Sequence, residues 1–237
     1  MGQAAVVVGV GPGLGASLVR KLVDETFTVV AVARHASSLE GFDEHVKAGR
    51  VILTDCDATA PEEVEQVFAG IEDQFGPLQV AVFNAGAYER GTVAETEPAD
   101  FERCWRVGCF AGFLTGRNAA RLMLEHDEGH RGTIIFTGAT ASLRGGPGYV
   151  NLASPKFALR ALAQSMAREL GPQGIHVAHV IIDGGIRSAR YEEMFGDLGP
   201  DALLEPDAIA DAYIALHQQQ RSTWTQELDL RPWVEKF

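Results

Sequence analysis

Short apolar runs alternate with longer, helix-periodic stretches along the whole chain. Residues 4–8, 28–33, 51–54, 80–84, 133–137 and 177–182 are apolar at nearly every position and do not alternate with polar residues. A strand of that kind is covered on both faces, as in a parallel sheet sandwiched by helices. The intervening patterns predict helices over 14–26, 61–75, 99–126, 149–170 and 206–218, and a final strand over 226–230 adds to one edge. Thr59, with Glu62 three residues on, reads as a capping box opening the second of these helices. Regular β-α alternation implies right-handed crossovers. The expectation is an α/β fold: a doubly wound (Rossmann), mostly parallel, seven-stranded sheet with helices on both faces. No repeat, low-complexity tract or linker interrupts residues 1–237, so a single domain is expected.

Charge and cysteine usage narrow the partners. The net charge is −12 and the 20 Lys and Arg residues are scattered, which argues against nucleic acid, whose binders cluster them. Cys56, Cys104 and Cys109 form no CxxC pair and suit a reducing compartment. The first residues carry no basic stretch and no cleavage signal, and Val6 stands where a myristoylation signal needs Ser or Thr. No apolar run approaches the ~18–20 residues that cross a bilayer. A cytoplasmic protein without a membrane partner is expected.

The first strand ends in Gly9-Val10-Gly11-Pro12-Gly13-Leu14-Gly15, and an amphipathic helix follows at once. Glycines there allow a tight turn and let backbone N–H groups approach a pyrophosphate at the positive end of the helix. Gly15 lets the helix sit close to the strand. A glycine cluster alone only makes turns; between a first strand and a helix it points to dinucleotide binding.

With these residues the chain resembles the short-chain dehydrogenase/reductase family, over essentially its whole length. Gly9, Gly13 and Gly15 match the family's G-xxx-G-x-G spacing. The resemblance implies an adenine contact at Asp57 and Ala58 after the third strand, and it matches Asn84-Ala85-Gly86 to the family's N-A-G element near the cofactor ribose. It also places the stretch from Ile182 to Ser188, with Gly184 and Ile186, where the family has its P-G motif over the nicotinamide; Asp183 replaces the proline.

The end of the second strand bears on which cofactor binds. A carboxylate there accepts from the adenosine 2′-hydroxyl and repels a 2′-phosphate, whereas an arginine does the reverse. Ala33 stands where NAD-using members carry Asp, and Arg34 follows. Arg34 can grip a phosphate bidentately, with Ser37 or Ser38 adding a hydroxyl. The reading is NADP(H) rather than NAD(H), against the plainer alternative that Arg34 is a solvated loop charge.

The family's catalytic pattern breaks here. Its tyrosine donates a proton to the carbonyl oxygen, a lysine four residues later holds the ribose, and a serine and an asparagine complete the set. Lys156 matches the lysine, but Leu152 stands at the tyrosine position, Ala139 at the serine and Gly108 at the asparagine. Pro155 is expected to bend the helix near Lys156. Tyr149 lies seven residues before Lys156, a Y-x6-K spacing that resembles the enoyl-thioester reductase branch of the superfamily. Tyr149 is then either the surviving acid or a wall of the pocket. Thr140 and Ser142 each offer a hydroxyl near the missing serine, although such hydroxyls often serve the backbone.

His126, Asp127, Glu128 and His130 straddle a glycine turn that reads as a solvated loop, and no metal is assigned. His176 and His179 on the sixth strand read as structural. Two functions remain: an NADP(H)-dependent oxidoreductase acting on a small carbonyl or enone/enoyl substrate by a non-standard site, or a non-catalytic NADP(H)-binding sensor or partner subunit. The resemblance implies a homodimer or homotetramer, with Phe110, Phe113, Leu162 and Met166 as candidate interface residues.

Overall fold

The computed structural model describes residues 2–127, 129–196, 198–199 and 201–235. Seven strands form one sheet: β1 (Gln3–Val8), β2 (Phe27–Ala33), β3 (Val51–Asp55), β4 (Leu78–Phe83), β5 (Gly132–Thr137), β6 (Ile175–Ile182) and β7 (Glu227–Leu230). Their order is β3-β2-β1-β4-β5-β6-β7 and every neighbouring pair is parallel. The strand order reverses between β1 and β4, which opens a crevice at their carboxyl ends.

The helices are α1 (Leu14–Asp24), α2 (Asp43–Lys47), α3 (Pro61–Phe68), α4 (Ile71–Phe75), α5 (Pro98–Trp105), α6 (Ala111–Leu124), α7 (Val150–Leu170), α8 (Ala189–Phe195) and α9 (Pro206–His217). The continuous apolar strands are explained by coverage on both faces. Ala5 and Val7 of β1 pack with α1 and α9, while Ala4, Val6 and Val8 pack with α3, α6 and α7. All five are essentially inaccessible.

Four sequence expectations are corrected. The helix over 61–75 is two helices, because Ala69 is extended and Gly70 has φ +80°, a left-handed conformation that glycine adopts without strain. The capping box does not form: the Thr59 hydroxyl donates to Asp57 Oδ1 at 2.8 Å, and Pro61 opens α3 behind Ala60. The long helix over 99–126 is interrupted by a π-helical turn, Arg106–Phe110, between α5 and α6. Of the four candidate interface residues, only Phe113 is exposed; Phe110, Leu162 and Met166 lie half-buried against the core. Phe101, Trp105 and Phe157 are exposed instead.

Candidate dinucleotide site

The turn from β1 into α1 is built by glycines with different duties. Gly9 has φ +95°, and a Cβ there would lie 2.4 Å from Ala85 N. A Cβ on Gly15 would lie 2.7 Å from Val10 Cα, so this glycine sets how closely α1 meets the strand. Gly11 and Gly13 face open space, and no side chain caps the start of α1 at Gly13, Leu14 and Gly15. An uncapped helix start behind open glycines leaves room and free donors for an anion. Asn84 Nδ2 donates to Gly9 O at 3.0 Å, tying the end of β4 to this turn.

A cavity of about 510 Å³ lies over the carboxyl ends of β1 to β4. Gly9, Gly11, Ala33, Arg34, Asp57, Ala58, Asn84, Ala85 and Gly86 line it. His35, Cys56, Arg103 and Val107 also line it; the sequence reading missed them because nothing in their spacing marks them. Burial pushes the Cys56 thiol up to about 11, so it stays protonated. Arg34 makes no ion pair among the described residues, and it stands free at the rim. Asp55, opposite Ala33 in register, is turned to Ser37: its carboxylate accepts the Ser37 N–H at 3.0 Å, which holds it below the usual range. The Ser37 hydroxyl also donates to Asp55 (3.3 Å) and the Ser38 hydroxyl to His35 O (2.8 Å). Both serines suggested as phosphate donors are therefore already engaged.

The other half of the crevice carries the candidate chemistry. Lys156 is 6% exposed, and its Nζ donates to Thr137 O at 2.7 Å. Burial pulls its ammonium down to about 8. Tyr149 is the N-cap residue of α7 and 38% exposed. Its ring stacks on Tyr88 at 5.3 Å and 5°, and Arg90 lies 5.8 Å from its centroid. Burial raises the Tyr88 phenol, and the neighbouring Tyr149 adds to the rise. Ser142 serves the backbone, accepting Ala139 N–H at 3.1 Å.

Thr140 does something else. Its hydroxyl donates to Asp183 Oδ1 at 2.5 Å, and Arg231 Nη1 lies 3.4 Å from Asp183 Oδ2. Asp183 keeps an N–H that a proline lacks and donates it to Leu230 O at 2.8 Å. Gly184 and Ile186 follow: a Cβ on Gly184 would lie 2.8 Å from Pro232 Cδ, and Ile186 bridges to Leu204.

The remaining histidines are placed away from this crevice or inside the sheet. His126 Nε2 meets Glu72 at 2.6 Å and its Nδ1 meets Arg131 O; His130 meets Thr133. Glu128 lies outside the described residues. His179 is inaccessible, with Nδ1 3.2 Å from Glu227, and burial brings it down to about 4. Arg160 of α7 holds the same Glu227 with two bonds of 2.6 and 2.7 Å.

The short chain dehydrogenase family matches residues 3–195. A crystal structure of a short-chain dehydrogenase from Rhodopseudomonas palustris is 41% identical, with TM-score 0.84, covering 98% of this chain and 99% of that one. A metagenomic short-chain oxidoreductase in complex with NADP is 27% identical, with TM-score 0.80 and 97% of each chain covered. Sorbitol-6-phosphate 2-dehydrogenase of Escherichia coli (strain K12) is 26% identical over 218 residues, 90% of this chain and 83% of that protein. The chain belongs to the short-chain dehydrogenase family, a family of oxidoreductases.

Proposed function

We propose that the chain is an NADP(H)-dependent oxidoreductase that acts on a small carbonyl or enone/enoyl substrate through a non-standard site, within a single domain. The observation that carries the cofactor is Arg34, a guanidinium beside Ala33 that lines the cavity and makes no ion pair among the described residues. The NADP-bound relative supports the same reading. On it, the N–H groups at Gly13, Leu14 and Gly15 hold the pyrophosphate, with Gly9 shaping the turn. Arg34 holds the 2′-phosphate, Asp57 and Ala58 border the adenine, and Asn84, Ala85 and Gly86 border the ribose. Lys156 holds the second ribose, and Gly184 and Ile186 flank the nicotinamide. The bound cofactor supplies a hydride. The protein must then manage charge and protons without the tyrosine, for which Leu152 stands.

Tyr149 is the remaining phenol near Lys156 in sequence. As acid it would favour a conjugated substrate whose oxygen lies away from the carbon receiving hydride, so enones and enoyl thioesters should react before simple ketones. Its stacking on Tyr88 supports the wall role instead, and with it the second reading: a non-catalytic NADP(H)-binding sensor or partner subunit. A carbonyl and enoyl-thioester panel with NADPH, run beside direct NADPH titration, separates the two. Turnover supports the enzyme; tight binding without turnover supports the sensor.

The exposed Phe113 of α6 and Phe157 of α7 support assembly as a homodimer or homotetramer. Light scattering at micromolar concentration should report at least a dimer, and a strict monomer would contradict it. Described helices include none long and apolar enough to cross a membrane. A cytoplasmic location remains part of the proposal.

A further inference from the structure

We propose that Asp183 biases the site toward the oxidised, cationic form of the dinucleotide over the reduced, neutral form. This rests on the NADP(H) reading above and adds a residue that discriminates between the two redox states.

Asp183 follows β6 directly and is 5% exposed. A carboxylate is rarely buried without partners, and this one has two. Thr140 Oγ donates to Oδ1 and Arg231 lies against Oδ2, so both carboxylate oxygens are engaged. The same Arg231 guanidinium also pairs with Asp229. Two carboxylates, Asp183 and Asp229, therefore sit on the same guanidinium, and Asp183 brings one of them to the carboxyl end of β6.

The topology says what that charge faces. A doubly wound sheet binds the two nucleotide halves over its two β-α-β-α-β halves, outside the carboxyl ends of the strands. The cavity spans the ends of β1 to β4, and its Arg34 end, over β1 to β3, is the adenosine half. The nicotinamide half then falls over β4 to β6, where Asp183, Thr140 and Lys156 stand. An oxidised nicotinamide ring carries one positive charge and a reduced ring none. A buried carboxylate separates these two states more strongly than a solvated one, because the surrounding dielectric is low. The Lys156 ammonium opposes it, so the signature is the change on removing Asp183 and not the absolute ratio of affinities.

The test needs neither substrate nor turnover. NADP⁺ and NADPH are titrated separately, by protein fluorescence, into the wild-type chain and into Asp183→Asn, Thr140→Val and Arg231→Gln. Asp183→Asn should lower the affinity for NADP⁺ relative to NADPH by about fivefold to tenfold, the scale of one charge at an effective dielectric near 20 and a separation of roughly 12–17 Å. Thr140→Val, which removes the hydrogen bond but keeps the charge, should leave that ratio within about twofold. Arg231→Gln should move the ratio the other way, toward NADP⁺. An unchanged ratio in Asp183→Asn, or a shift as large in Thr140→Val, overturns the proposal. If Asp183→Asn does not fold, the direction in Arg231→Gln decides: a rise supports the proposal and no change overturns it. If the wild type binds neither form, this inference and the dinucleotide reading both fall. If it binds both and the ratio ignores Asp183, only this inference falls.

Discussion

Gly108 and Pro155 occupy one packing space: a Cβ built on Gly108 would stand 2.8 Å from Pro155 Cβ and 3.3 Å from its Cγ. Gly108 lies in the π-helical turn between α5 and α6, and Pro155 lies inside α7, one residue before Lys156. The helix continues through Pro155 without a break, so the proline's ring is accommodated by the missing side chain across from it. The departure at Gly108 and the proline within α7 are thus one contact. Gly108→Asn, which restores the family's residue, should overpack the site and cost about 1–3 kcal/mol in denaturant unfolding. Combined with Pro155→Ser, the cost should shrink by about 0.5–3 kcal/mol. Strictly additive costs would mean the two residues do not constrain each other.

Tyr149→Phe separates acid from wall. If the phenol acts on the substrate, the variant should lose about 2–4 kcal/mol of transition-state stabilisation, the range for one lost oxyanion donor, while NADPH affinity stays unchanged. An unchanged kcat/KM makes Tyr149 pocket wall.

The far end of the sheet makes the fold acid-sensitive. His217 meets Thr133 Oγ at 2.9 Å, packs edge-on to Phe27, and is brought down by burial to about 4. His130 and His176 are lowered by burial as well, and both pack against Trp224. Each folded pKa lies below the ordinary 6.5, so the unfolded chain binds more protons under that pH. The stability these groups contribute is full above about 6.5 and is lost as pH falls below it, for His217 toward about 4, at up to ~1.4 kcal/mol per pH unit for each group. Thermal unfolding between pH 7 and 4.5 should show this decline, and His217→Gln should make it shallower. A flat profile would mean the histidines charge without strain.

Much of this architecture could be read from the chain, because the signals are local. Apolar strands such as 4–8 and 133–137 are buried on both faces, and the glycine turn after β1 lies between strand and helix where a pyrophosphate site needs it. The misses share a different cause. The break at Gly70 and the π turn at 106–110 depend on packing that helical periodicity does not record. Thr59 has the spacing of a cap, yet its hydroxyl is claimed by Asp57, two residues away. The Thr140, Asp183 and Arg231 contacts join segments far apart in sequence, so Asp183 reads in the sequence only as a lost proline. The same limit applies to Ser37 and Ser38, whose hydroxyls looked free until Asp55 and His35 were brought beside them.

The central claim is that Arg34 makes this an NADP(H) site. Direct titration of NADPH and NADH into the wild type and Arg34→Ala tests it. A charge-assisted pair to the 2′-phosphate is worth about 1.5–3 kcal/mol, so NADPH should bind at least ~10 times tighter than NADH, and Arg34→Ala should erase that preference while leaving NADH affinity nearly unchanged. Equal binding of the two cofactors by the wild type, or a full preference retained in Arg34→Ala, would contradict the account.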